Sequence, residues 1–310
     1  PRNLCPLIKS SYGFAKTDKC PFFYFSDLIV GETTCDGKKK MYEYLSEFKP
    51  VHVMELPNSQ SKQGFNLWKS EVIRLKSTLE EIFEVKISED DIRKAIKIKN
   101  NERVALKKFY ELGKREPIAI TGQDILKVIN GTTFSFNKEE IPNQIDELIE
   151  KIDSEYKKEK KYKSRPRILI TGCPIGGAAE KVVKAIEDNG AYVVAFENCT
   201  VAKAVEELVD EKNPDVYDAI SKKYLSIGCS CMTPNPNRIK MLDKMIDEYK
   251  IDAVVDVVLT ACHTYSIETL SIKKFVNNQK SKPYMSVETD YSTNDIGQLN
   301  TRMAAFVEML

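Results

Sequence analysis

The sequence predicts an α/β protein with mostly parallel, doubly wound sheet, and three observations lead there. Beyond Arg167, strand patterns and helical patterns alternate strictly to the end at Leu310. Near the start, the apolar run DLIV (Asp27 to Val30) passes through GETTC into a helical pattern, which puts Cys35 on a strand-to-helix turn. Between these regions, residues 63–162 turn helical. Two domains follow from the length and pattern: an N-terminal α/β lobe over 1–164 that contains the helical segment 63–162, and a C-terminal α/β lobe over 165–310.

Taken in order, the chain opens at Pro1 and reaches Cys5 at once, so the N-terminal lobe is expected to be truncated. Its clear strands are DLIV and VHVMELP (Val51 to Pro57), and two strands make a poor independent sheet. Leu67, Val72, Ile73, Leu75, Leu79, Ile82 and Phe83 share helical spacing. So do Ile92, Ile96, Val104, Leu106 and Phe109, after the capping signal SEDD at Ser88 to Asp91. A shorter helix opens at Thr121, and a long charged one runs from about Lys138 to Tyr162. EYKKEKKYKSRPR (Glu155 to Arg167) shifts composition and ends in a proline, the mark of a solvated helix end and a domain boundary. Then come the strand RILIT, a helix closed by Gly190, the strand YVVAFEN, and helices over 216–224 and 238–249. The strand DAVVDVVL, the helix SIETLSIKKFVNN, the strand YMSVE and a last helix from about Asp295 complete the series.

With 42% hydrophobic residues the chain can bury real cores, and Lys plus Arg at 47 against Asp plus Glu at 46 leaves a net charge of +1. That balance gives no bulk attraction to nucleic acid or to an anionic membrane. No apolar run approaches the ~20 residues of a membrane span, and the first residues lack the apolar core of a signal peptide. A cytoplasmic location is expected. Eight cysteines in 310 residues is far too sparse for a disulfide scaffold, and in a reducing compartment such a set points to metal or redox chemistry.

Their positions say more than their number. Cys35, Cys173, Cys199 and Cys262 each follow a predicted strand, while Cys229 and Cys231 share a turn before a helix start at Asn235 or Pro236. Cys5 and Cys20 each precede a proline, which is expected to leave them on extended or turned backbone. Thiolates converging on the carboxyl edges of two sheets would make an all-sulfur site, which selects an iron–sulfur cluster or zinc. Structural zinc favours paired C-x₂₋₄-C spacing, and the closest pair here is Cys-Ser-Cys, so zinc ranks second and disulfides third.

GCPIGGAAEK (Gly172 to Lys181) has glycines but matches neither the P-loop nor the dinucleotide pattern, since Ala178 stands where a P-loop lysine belongs. Its glycines instead let the backbone approach an anionic cluster at a helix N-terminus. Of the two histidines, His52 and His263, the second follows Cys262 and is read as a hydrogen-bonding neighbour of a ligand rather than a ligand.

CPLIKSSYGFAKTDKCPFFYFSD, GETTCDGKKKMYE, ILITGCPIGG, ENCT, IGCSCMTPN, ACHTYSIE and VETDYSTNDIGQLNTRMAAFVEML together resemble the 2-hydroxyacyl-CoA dehydratase D-component family. Within it the chain is most similar to the double-cubane cluster proteins. The resemblance implies two flavodoxin-like parallel-sheet lobes with a helical insertion, a cluster held between them, a homodimer, and a separate ATP-hydrolysing iron–sulfur activator that supplies electrons. Dehydratase relatives carry one 4Fe-4S cubane on three cysteines, whereas double-cubane proteins carry two sulfide-bridged cubanes (8Fe-9S) on six. Cys5, Cys35 and Cys262 are expected to hold the shared cubane and Cys20, Cys229 and Cys231 the second, with Cys173 and Cys199 as substitutes.

On this reading the protein is an ATP-dependent iron–sulfur oxidoreductase that reduces small molecules, with no nucleic-acid or membrane partner. One enzymatic alternative is a 2-hydroxyacyl-CoA dehydratase subunit, for which three cysteines suffice. A non-enzymatic alternative is a zinc or cluster scaffold, recognisable by stoichiometric zinc without iron.

Overall fold

A computed structural model describes residues 3–173 and 176–310, and these divide into two compact units that interleave along the chain. The first comprises residues up to Ile96, Val209–Asn237 and Leu259–Ser266; the second comprises Lys97–Leu208, Arg238–Val258 and Ile267–Leu310. The two sheets fall on either side of residue 164, whereas the compact units cut the chain differently.

In the first unit, α1 (Pro6–Lys16) and α2 (Pro21–Phe25) precede β1 (Ile29–Glu32), α3 (Asp36–Leu45) and β2 (Val51–Met54). The strands pair in parallel from Ile29↔Val51 to Glu32↔Met54. Ile8 and Ala15 of α1 and Met41, Tyr42 and Leu45 of α3 form a core against Val51 and Val53. Gly31 is required on β1 because the Tyr42 ring lies over it: a Cβ there would sit 2.2 Å from the ring. The long helix α4 (Lys62–Phe83) is capped by Ser61, whose hydroxyl accepts from the Gly64 N–H at 3.1 Å. Its Trp68 packs with Met54, Leu225 and Met232, so α10 (Val216–Leu225) closes this core. α5 (Glu89–Tyr110) opens on the predicted box, Ser88 and Asp91 bonding each other's backbone N–H at 3.0 and 3.2 Å.

The backbone is extended at Cys5 and Cys20, as expected, and α1 and α2 give that extension a role. Both cysteines are helix N-caps, and the prolines after them occupy the first helical position, where a missing N–H costs nothing and φ is already helical. The strand DLIV also starts later than its apolar run, at Ile29.

The second unit holds α6 (Gly122–Phe134), capped by Thr121, and α7 (Ile141–Lys158), followed by β3 (Arg167–Gly172), α8 (Gly176–Asp188) and β4 (Tyr192–Glu197). α9 (Ala202–Val205), α11 (Pro236–Glu248), β5 (Ala253–Leu259), α12 (His263–Lys274), β6 (Tyr284–Thr289) and α13 (Ile296–Val307) complete the chain. The sheet order is β4-β3-β5-β6, with β3 parallel to both neighbours. This is the flavodoxin-like order, whose switch point falls between β3 and β5. Every residue of β3, β4 and β5 is buried, as a sheet covered on both faces demands. Leu242, Met245 and Ile246 of α11 and Ile272 of α12 supply one cover.

A buried polar cluster lies near the carboxyl ends of these strands. Glu197, Thr171 and Asp256 stand in register on β4, β3 and β5, and the fully buried Arg238 of α11 reaches all three. Lys203 pairs with Glu197 at 2.8 Å, and Glu268 with Arg238 at 2.6 Å. Burial pushes the Asp256 carboxyl above its ordinary range, against the opposing pull of Arg238, and Tyr284 donates its hydroxyl to it at 2.9 Å. Two cations, Arg238 and Lys203, thus stand among the carboxylates of Glu197, Glu268 and Asp256, so the buried charges are paired.

Candidate metal centre

Six of the eight cysteines, Cys5, Cys20, Cys35, Cys229, Cys231 and Cys262, belong to the first unit; Cys173 and Cys199 belong to the second. β3 and β5 run parallel, so the chain leaves both at the same sheet edge, Cys173 directly after one and Cys262 in the turn after the other.

Cys5, Cys20 and Cys35 are the N-caps of α1, α2 and α3. Cys262 precedes α12 in the same way, its carbonyl accepting the first helical bond from the Ser266 N–H at 2.9 Å. A helix start offers unpaired N–H groups and the positive end of the dipole, so it favours a thiolate over a thiol and an anionic cluster over a neutral group. α2 has five residues and contributes locally: the Cys20 sulfur accepts from the Phe23 N–H at 3.4 Å.

Two sulfurs of the expected first set are in direct contact. Hydrogen bonding to Cys262 pushes the Cys5 thiol far above the usual range, burial adds to it, and the N–H groups of Ile8 and Leu7 pull the other way. Cys35 packs in the same apolar group as Cys5, around Ile8 and Met41. Cys229 and Cys231 pack in a different one, beside Trp68 and Met232. Cys20 is linked to the first group through Phe23, although it is expected in the second ligand set.

The sequence reading missed Lys38, the third residue after Cys35 and so on the same side of α3. Burial favours its neutral form, but Tyr42, Glu32 and Cys35 outweigh that and raise its pKa, leaving a firm cation near the Cys35 sulfur. The lysine run GKKK was the available signal. Thr264, also unremarked in sequence, brings its hydroxyl to 3.7 Å from the Cys262 sulfur. His263 is exposed at the head of α12. His52 is buried on β2 with no hydrogen bond to its Nε2, and burial, then Arg74, lowers its pKa. Cys173 is buried and its N–H donates to the Val257 carbonyl at 2.9 Å, whereas Cys199 is exposed. Positions 174 and 175 of the GCPIGG loop lie outside the described residues.

Among the described residues, no three His, Cys, Asp or Glu side chains converge closely enough to chelate a single ion. A cubane asks for a different arrangement, because each thiolate binds a different iron and the sulfurs stand further apart. The donor set suits that group: soft sulfur ligands, four of them at helix starts.

The sequence profile described as 2-hydroxyglutaryl-CoA dehydratase, D-component, matches residues 1–310. The chain belongs to this family. Among D-component relatives, Escherichia coli (strain K12) YjiM, named provisionally as a dehydratase subunit, is 61% identical over 100% of this chain and 81% of its own length. The (R)-phenyllactyl-CoA dehydratase beta subunit of Clostridium sporogenes is 24% identical over 89% of this chain and 73% of its own. One of the benzoyl-CoA reductase subunits of Thauera aromatica is 26% identical over 43% of this chain and 29% of its own. As a D-component chain it shares a family with proteins named for dehydration and for reduction. No described helix is long and apolar enough to cross a membrane.

Proposed function

We propose that this D-component chain is an iron–sulfur reductase of the double-cubane type, a homodimer in the cytoplasm that takes electrons from an ATP-hydrolysing activator and reduces small molecules. The observation that carries the reading is the gathering of six cysteines in one compact unit, with Cys5 and Cys35 in one packing group and Cys229 and Cys231 in another. Cys5, Cys35 and Cys262 would hold one cubane and Cys229 and Cys231, with Cys20, the other.

When bound, such a cluster supplies electrons at very low potential. Plant-type ferredoxins sit near about −400 mV, and moving an electron ~300 mV lower costs about 7 kcal/mol, which explains a partner that hydrolyses ATP. The chain's own residues provide the setting. The N–H groups of Leu7 and Ile8 bond the Cys5 sulfur, Cys35 and Cys262 stand at the positive ends of α3 and α12, and Lys38 adds a full positive charge. Thr264 offers a hydroxyl donor to Cys262. These donors ease the accumulation of negative charge at the thiolates.

A second reading is supported by the relatives named as dehydratase beta subunits: a 2-hydroxyacyl-CoA dehydratase subunit with a single 4Fe-4S cubane on Cys5, Cys35 and Cys262. Iron analysis of anaerobically purified protein separates the two. About eight irons per chain is expected for the double cubane, and about four for the alternative. With activator, ATP and a strong reductant, acetylene or hydrazine should be turned over faster than a 2-hydroxyacyl-CoA. Faster dehydration of the CoA ester would overturn the reductase reading.

A further inference from the structure

The Cys229–Cys231 loop makes an uncommon set of bonds. Three amide side chains converge on the carbonyls of its approach and first cysteine. Gln60 Nε2 donates to the Leu225 carbonyl at 2.7 Å and reaches that of Ile227 at 3.5 Å. Asn237 Nδ2 donates to the Ser226 carbonyl at 2.8 Å, and Asn235 Nδ2 to the Cys229 carbonyl at 2.9 Å. The backbone adds three more ties: Cys229 N–H to the Ile227 carbonyl at 2.8 Å, Met232 N–H to Cys229 at 3.0 Å, and Thr233 N–H to Asn58 at 2.8 Å. Asn58 and Gln60 lie between β2 and α4, while Asn235 and Asn237 lie at the start of α11, so the loop is held from both sides. Met232 plugs it into the Trp68 core.

We propose that Gln60, Asn235 and Asn237 are positioning residues that set the Cys229 and Cys231 sulfurs for the second cubane; the proposal rests on the double-cubane reading. In a planar trans peptide the carbonyl of one residue and the N–H of the next point in opposite directions. Holding the carbonyls of Ile227 and Cys229 toward amide donors therefore turns the N–H groups of Gly228 and Ser230 to the other side, flanking Cys229. Those N–H groups are the donors an anionic cluster needs. Side-chain amides suit the task because they are neutral and donate at fixed reach, without adding a charge beside the thiolates.

The test uses Gln60→Ala, Asn235→Ala and Asn237→Ala in the full chain, with Cys231→Ser as control. In iron-free protein, deuterium exchange of the peptide spanning 226–233 is expected to accelerate at least five-fold in each alanine variant, while exchange in α1 and α3 stays at the wild-type rate. In iron-loaded protein, a chelator should remove about half of the iron at least five-fold faster than the rest, the same half that Cys231→Ser fails to bind. Gln60→Glu, which keeps the volume and replaces the donor with an acceptor, should behave like Gln60→Ala. Loop exchange equal to wild type in all three alanine variants overturns the positioning role. Faster loop exchange with iron leaving in a single phase, and unchanged by Cys231→Ser, overturns instead the assignment of a cubane to this loop.

Discussion

At the scale of single residues, the first unit places cysteine where most helices carry Ser, Thr, Asp or Asn. A cysteine sulfur is a weaker hydrogen-bond acceptor than an oxygen, so Cys5, Cys20 and Cys35 give up capping strength to place a sulfur at each helix start. Lys38 adds a cation beside Cys35. On the proposed iron–sulfur reading, Lys38→Gln should leave iron content intact and shift the cluster potential negative by on the order of tens of millivolts, since a nearby cation stabilises the reduced, more negative form. Lys38→Arg should hold the wild-type potential, and a redox titration followed by electron paramagnetic resonance reads both. Cysteine type and spacing are visible in sequence; which sulfur meets which cation is not, because Lys38 reaches Cys35 only through the turn of α3.

At the scale of elements, the attachment of α4 to β2 depends on one buried carboxylate. Glu71 accepts from the Glu55 N–H at 2.8 Å and from Arg74 Nε at 3.0 Å, and Arg74 also donates to the Val53 carbonyl. Burial alone would raise its pKa, but the bonds from Arg74 and the Glu55 N–H outweigh that and lower it. The sign follows. A carboxylate whose folded pKa lies below its unfolded value of about 4.3 contributes stability above that value and loses it as pH falls through the folded one. Glu71→Gln is therefore expected to cost about 1–3 kcal/mol at pH 7, with the difference from wild type vanishing in strong acid. Urea unfolding across that range measures it. The helix itself was plain from the spacing of Leu67, Val72, Leu75 and Leu79. The buried Glu71 within it was not, since a charged residue on a helix reads as solvated until its partners are known.

At the scale of the whole molecule, strand and helix alternation after Arg167 was legible to within a few residues, the short helix Ala202–Val205 apart, because each buried strand is a continuous apolar run bounded by turns. The polar cluster around Arg238 was illegible for the opposite reason: its members are scattered from Thr171 to Tyr284 and meet only in the folded sheet. Arg238→Met should destabilise the protein by about 3–5 kcal/mol, because Glu197 and Glu268 lose their shared cation inside the protein. Denaturant unfolding of the variant should show it.

The interleaved first unit also sets a schedule for synthesis. Its opening segment ends at Ile96, yet its last piece ends at Ser266. At about 5–20 residues per second, roughly ten to thirty seconds separate the two on the ribosome. Through that interval Cys5, Cys20 and Cys35 have left the ribosome before Cys229, Cys231 and Cys262. Three of the first unit's six thiols thus wait, open to oxidants, for the other three. A nascent chain stalled at Leu208 should show these three cysteines reacting with a maleimide far faster than in the finished protein. On the proposed iron–sulfur reading, iron loading would then belong to the released chain, and exclusion of oxygen would matter most in the seconds before it is complete.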